Sequence, residues 1–279
     1  MDDQALPVVM AIVNRTPDSF YDRGATFADE AALRRCDRVV AEGAGIIDIG
    51  GVKAGPGSLV DAAEEIDRVV PVIEAVAARH PGVLISVDTW RSEVAEEAVK
   101  AGAGLVNDTW AGHDPELVEV AGHHRVGYVC SHTGGVEPRT RPHRVHFDDV
   151  VADVIAETTR LAERAVAAGV PEEKVFIDPT HDFGKNTFHG LELLRRVDEL
   201  VATGWPVLMA LSNKDFVGET VGRDVGDRVA GTLAATAWAA ARGVAAFRAH
   251  EVAETVDVIR MTAAIAGAAA PLNTIRGLA

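Results

Sequence analysis

The chain has 279 residues, 48% hydrophobic and 25% charged, which suits a globular protein with a sizeable core. Its net charge of −15 argues against sequence-independent binding to DNA or RNA, whose phosphates must be met by Lys and Arg. No apolar run reaches membrane-spanning length, and the acidic start MDDQALPVV lacks the features of a signal peptide.

Short apolar runs recur along the chain: VVMAIVN (8–14), GIIDIG (45–50), VLISVD (83–88), GLVND (104–108), GYVCSH (127–132), VFIDP (175–179), PVLMALS (206–212) and AAFRAH (245–250). They are almost continuously apolar, as strands buried on both faces are. Between them lie stretches with helical period, such as DEAALRRCDRVVAEGA, AAEEIDRVVPVIEAVAARH and FHGLELLRRVDELVATG. The Ala-rich run at 230–246 reads as a close-packing helix, with a subunit contact as the lesser reading. Eight strand–helix units in one chain predict an α/β fold of the (β/α)₈ TIM-barrel type, a single domain over residues 1–279. The two cysteines, Cys36 and Cys130, read as buried free thiols and suit a reducing cytosol, so a cytoplasmic protein is expected.

Nearly every run ends in a polar residue: Asn14, Asp48, Asp88, Asn107, His132, Asp178, Ser212 with Lys214, and Arg248 with His250. In barrels those ends form the active-site mouth, so the side chains are expected to converge. One polar strand end could be a turn residue, but so many are hard to explain that way. Trp90 and Trp110 follow two of the strands; they read as core residues, or as packing near a bound ring. The sequon Asn14-Arg15-Thr16 is irrelevant in the cytosol, and the DFG at 182–184 lacks the other kinase motifs.

The motifs NRTPDSFYDRG, IIDIGG followed by PG, SVDTW, GLVNDTWAG, FIDPTHDFGK, LSNKDF and FRAHEV, in that order, resemble those of the dihydropteroate synthase family. The resemblance covers nearly the whole chain. It implies a barrel, a homodimer, and condensation of a pterin pyrophosphate with para-aminobenzoate. It places the pterin ring against Asp88, Asn107, Asp178 and Lys214. It places Asn14 on Mg²⁺ with a pyrophosphate oxygen, and Arg248 and His250 on the pyrophosphate. By the same resemblance Lys214, Arg248 and His250 are the catalytic candidates. The chemistry is apt: carboxylates accept from the ring donors, an amide does both, and an ammonium donates to the carbonyl edge.

Two stretches depart from the family. Where it reads Glu-Ser-Thr-Arg-Pro-Gly, this chain has Val52-Lys53-Ala54-Gly55-Pro56-Gly57, without the Arg that closes over pyrophosphate. Where it reads Ser-Arg-Lys-Ser, this chain has Ser212-Asn213-Lys214-Asp215, with an aspartate expected to face the aminobenzoate carboxylate. Thr180 and Asp182 stand where the family prefers Gly. The pattern resembles the second, non-folate copies that actinobacteria carry beside a true synthase, with condensation weak or lost. The loop SHTGGVEPRTRPHRVH (131–146) is unlike the family. Either Arg139 and Arg141, beside His143 and Arg144, bind an anion, or the loop is a solvated one whose charges pair with Asp148, Asp149 or Glu137. A pterin-dependent methyltransferase and a non-catalytic pterin- or anion-binding protein are the alternative functions. Small-molecule binding is expected, with no nucleic acid and no membrane.

Overall fold

In a computed structural model of the protein, residues 6–16, 24, 26–140 and 146–276 are described. Eight parallel strands follow one another: β1 Val8–Asn14, β2 Ile46–Gly50, β3 Leu84–Asp88, β4 Leu105–Asp108, β5 Gly127–Ser131, β6 Val175–Asp178, β7 Leu208–Met209 and β8 Ala246–Ala249. They are hydrogen-bonded in the order β6-β5-β4-β3-β2-β1-β8-β7. An Ile177–Val207 bridge and a 2.9 Å bond from Ile177 N to Pro206 O bring β6 against β7, closing the barrel. The expected barrel is the observed one.

Helices wrap the outside: α1 Asp29–Ala41, α2 Ala62–Arg79, α3 Ser92–Lys100, α4 Leu117–His124 and α5 Val150–Ala167 precede β6. After it come α6 Thr187–Arg195, α7 Val197–Val201, α8 Asp215–Val221, α9 Val229–Ala240 and α10 Val252–Ile265. Asp61 caps α2 by accepting from Glu64 N, and Asp149 caps α5 by accepting from Val151 N and Ala152 N. Such caps satisfy amides that the first helical turn leaves without partners.

Two expectations need correcting. The stretch 188–204, read as one helix, breaks at Arg196 (φ −107°, ψ 25°); the break redirects the chain so that both Val197 and Leu200 are fully buried. The seventh strand is only Leu208–Met209 rather than 206–212. Pro206 has no N–H to donate, and the chain leaves the sheet towards the mouth after Met209.

Side chains alternate along a strand, so every second residue enters the barrel. Met10, Ile46, Leu105, Val129, Leu208 and Ala246 form one compact apolar cluster. A much larger cluster holds the opposite strand faces, such as Val9, Ile47 and Val106, against helix residues such as Val39, Val72 and Leu161. The apolar plug is the platform of the site. Two residues further along β2, β4 and β8, the same inward face presents Asp48, Asn107 and Arg248.

Close packing fixes the outer layer too. A Cβ added at Gly122 of α4 would lie 2.0 Å from Ala168 O and 2.6 Å from its carbonyl carbon, backbone that cannot step aside. Gly122→Ala is expected to destabilise the fold by about 3 kcal/mol. Gly82→Ala, where nothing lies within 4 Å, should stay close to the parent. Urea denaturation of the two variants checks the contrast.

Candidate active site

The layer above the plug is a charged network. Arg248 Nε donates to Asp48 Oδ2 at 2.6 Å and its Nη2 donates to Asp88 Oδ2 at 2.8 Å. Asp48 is fully buried and also accepts from Ser86 Oγ (2.6 Å) and Asn107 Nδ2 (3.1 Å). Asp88 accepts from Thr109 Oγ1 at 2.6 Å. Strand register explains the convergence: Asp48 pairs with Ser86 across β2–β3, and Asp88 with Asn107 across β3–β4. Asp178, at the end of β6, accepts from Thr180 N at 2.7 Å. Thr180 takes a left-handed φ of 50°, a conformation costly for a β-branched residue, which gives a physical reason for the family's Gly preference.

Above this layer opens a cavity of about 310 Å³. Asn14, Asp88, Lys214, Arg248 and His250 line it, with Trp110 and Phe183 as its aromatic wall. Asn107 and Asp178 lie nearby, buried in the barrel. Trp110 is a core residue that also reaches the cavity: it is almost fully buried, packs edge-on to Trp90 (6.4 Å) and Phe183 (4.8 Å), and lines the cavity. Lys214 Nζ sits 5.4 Å from the centre of the Phe183 ring and 4.0 Å from Asp182 Oδ2.

The divergent stretches resolve individually. Asn213 does not face the cavity; it is buried and left-handed (φ 56°), and its Nδ2 donates to Glu251 Oε1 at 2.8 Å. Asp215 does line the cavity, with its Oδ1 bonded to Arg228 Nη1 at 2.8 Å. Val52, Lys53, Ala54 and Gly55 line the opposite side. Three arginines hold this second loop by its carbonyls: Arg68 bonds to Gly51 (2.8 Å), Arg139 to Ser58 (2.7 Å) and Arg91 to Val60 (2.8 Å). Arg139 thus pairs with none of the carboxylates considered for it and is spent on the loop. Asp149 instead caps α5 and pairs with Arg196. Arg141, His143 and Arg144 lie outside the described residues, as does most of the first loop, 17–23. The ends of that loop are held by Arg15, bonded to Phe27 O and Asp29, and by Thr26, bonded to Asn14 O at 2.6 Å.

A family model described as pterin binding enzyme matches residues 10–250. The chain belongs to the pterin-binding enzyme family. The inactive dihydropteroate synthase 2 of Mycobacterium leprae (strain TN) is 63% identical over 276 residues, covering 98% of this chain and 95% of that protein. The Yersinia pestis dihydropteroate synthase, solved as a sulfonamide drug complex, superposes with a TM-score of 0.89 at 36% identity, covering 95% of each chain. The Xanthomonas albilineans dihydropteroate synthase, solved with 7,8-dihydropteroate, gives 0.83 at 38% identity, covering 97% of each chain. All three carry synthase names, and none is named a methyltransferase.

Within this pterin-binding enzyme, the structure gathers Asn14, Asp88, Lys214, Arg248 and His250 around one cavity, above Asn107 and Asp178 in the barrel. Sequence reasoning placed Asp48 among the converging strand ends but gave it no role, although it is the hub of the network. Its signal was present: a lone carboxylate inside the otherwise apolar IIDIG must be buried and therefore paired. It also missed Lys185, whose ammonium is buried and donates to the carbonyls of His132 (2.9 Å), Phe183 (3.1 Å) and Thr180 (3.3 Å), tying the loop after β6 to the end of β5.

Burial sets the protonation states. It pushes the Asp178 carboxyl up to about 6 and raises Asp88 against the pull of Arg248. It pushes Lys185 down to about 7. Burial opposes the Arg248 charge as well, but Asp48 and Asp88 more than offset it. Burial, then the nearby Arg248, lowers His250 to about 3, so the imidazole is neutral at pH 7. Of the expected anion pair, only Arg248 is charged, and two aspartates already meet that charge.

His181 is buried, stacks on Phe216 at 5.2 Å, has neither ring nitrogen bonded to a partner in the structure, and is lowered to about 3 by burial. A lowered folded pKa means that the unfolded chain takes up the proton first. The neutral His181 contribution is therefore intact above pH 6.5 and is lost as pH falls from there towards 3. Between pH 7 and 5, His181→Leu should lose about 2 kcal/mol less stability than the parent. Denaturant titrations at both pH values check this, and equal losses would contradict it.

Proposed function

We propose that this chain, acting as one domain, binds a pterin ring inside the barrel mouth and has lost condensation with para-aminobenzoate. The observation that carries the reading is the unequal survival of the two halves of the site. Of the proposed ring-holding set, Asp88 and Lys214 line the cavity and Asn107 and Asp178 are buried in the barrel, while the lining next to Lys214 carries the carboxylate of Asp215. Each carboxylate oxygen at the floor has lone pairs beyond the bonds it already accepts, so Asp88 and Asp178 can take a ring amino group and ring N–H. The Lys214 ammonium donates to the carbonyl edge, and Phe183 and Trp110 offer aromatic surface. A site of buried polar groups rejects rings that leave those groups unpaired. The inactive designation of the mycobacterial relatives supports the loss of condensation.

Asn14, Arg248 and His250 are the candidate pyrophosphate contacts; Arg139 is bonded to the second loop, and Arg141, outside the described residues, stays an anion-binding candidate. Mg²⁺ fits only as a ligand-borne ion. Among the described residues no group of three or more His, Cys, Asp or Glu side chains could hold a metal, and one neutral amide does not make a resident site. Lys214, Arg248 and His250 remain catalytic candidates only if turnover survives. A homodimer belongs to the same reading: Leu191, Phe216, Val217 and Trp238 line an apolar groove between α6, α8 and α9 that a second copy would cover, and sedimentation velocity decides it. Two buried free cysteines suit the cytoplasm, and no helix among the described residues is long and apolar enough to cross a membrane.

Isothermal titration calorimetry with 6-hydroxymethylpterin should give a saturable isotherm. Asn107→Ala and Asp178→Asn should each weaken it about tenfold or more. Pterin pyrophosphate with aminobenzoate should give no product; turnover near ~1 s⁻¹, the ordinary range of working enzymes, would overturn the loss of condensation.

A further inference from the structure

The pterin reading above leaves open what the ring carries at its side-chain end. We propose that this site selects a pterin-type ring with an uncharged, hydrogen-bond-donating side chain, and discriminates against the pyrophosphorylated form. The inference deepens that reading and rests on it.

The argument is a balance of charge. A pyrophosphate entering this cavity needs cations that are not already committed. Arg248 is bonded to two aspartates in the floor layer. Lys214 lies 4.0 Å from Asp182. His250 is neutral at pH 7, and Lys53 is the remaining cation on the described lining. Facing these groups, Asp88, Asp182 and Asp215 all line the same cavity. Three cations and three carboxylates on one described lining leave no net positive charge to hold an anionic tail, and Asp88, Asp182 and Asp215 are already matched by Arg248, Lys214 and Arg228. A hydroxyl tail would instead find acceptors in Asp182 and Asp215.

The second loop points the same way. The Arg expected to close over pyrophosphate is replaced by Gly55, flanked by Ala54. Protein arginines now do the anchoring, with Arg68, Arg139 and Arg91 donating to the carbonyls of Gly51, Ser58 and Val60. The loop is thus held by contacts within the chain and does not require ligand phosphate to order it. Gly55 is not kept for its backbone or for lack of room: its φ is not left-handed, and an added Cβ would meet only Lys53 Cε at an ordinary 3.8 Å. A side chain can therefore start there without a clash at Cβ, which makes the charge at this position testable by substitution.

The test is calorimetry on the full chain with 6-hydroxymethylpterin and with its pyrophosphate ester, Mg²⁺ present in both. The hydroxymethyl form should bind about tenfold tighter or more. Gly55→Arg and Asp215→Ser, singly and together, should raise pyrophosphate affinity, about tenfold in the double variant, and Gly55→Arg alone should leave the hydroxymethyl form within about threefold. Equal or tighter binding of the pyrophosphate by the parent chain overturns this inference and leaves the pterin reading standing. Binding of neither ligand overturns both.

Discussion

The site depends on one buried guanidinium. Arg248 rises from the eighth strand into the barrel and is bonded to Asp48 from the second and Asp88 from the third. Taking these charges out of water is expensive, and only their mutual pairing with the surrounding hydrogen bonds makes the layer tolerable. Ser86 and Asn107 complete the shell of Asp48, and Thr109 adds a bond to Asp88. Removing Arg248, or the aspartates it pairs with, would strand charge, so the layer holds together as a unit. It rests on a dry plug of Met10, Ile46, Leu105, Val129, Leu208 and Ala246, which sets its height in the barrel.

That unit explains how a ring pocket can outlast the reaction it serves in relatives. The polar floor is structural as well as functional: Asp48, Asp88, Asn107 and Arg248 bond to one another across four strands. The mouth is under no such constraint. Loop residues such as Ala54, Gly55 and Asp215 have little burial to protect, and they can change charge at small cost to the fold. The arginine-tied second loop and the Arg228-tied Asp215 show a mouth stabilised by its own contacts.

Much of this was legible in the sequence. Eight continuously apolar runs separated by helical stretches give a barrel, and polar strand ends give its mouth, because alternation along a strand obliges Asp48, Asn107 and Arg248 to share the interior. Which of those residues neutralises which was not legible. That depends on register between strands, and Arg248 was accordingly expected to meet an anion rather than two aspartates. The place of Asn213 was not legible for a similar reason: a residue beside Lys214 in sequence faces away from the cavity once its backbone turns left-handed. Arg139 sits in a loop whose partner lies some eighty residues earlier in the chain, a distance no local pattern reports. The break at Arg196 is likewise set by burial of Val197 and Leu200, not by the helical period.

The central claim is that the interior floor still holds a pterin ring and the mouth no longer holds a carboxylate. A crystal structure of the full chain soaked with 6-hydroxymethylpterin and para-aminobenzoate together tests it most directly. The account predicts the ring seated above the plug, its polar edge on Asp178, Asn107 and Lys214, with no aminobenzoate bound at Asp215. A barrel without the ring, or aminobenzoate ordered against Asp215, would contradict it.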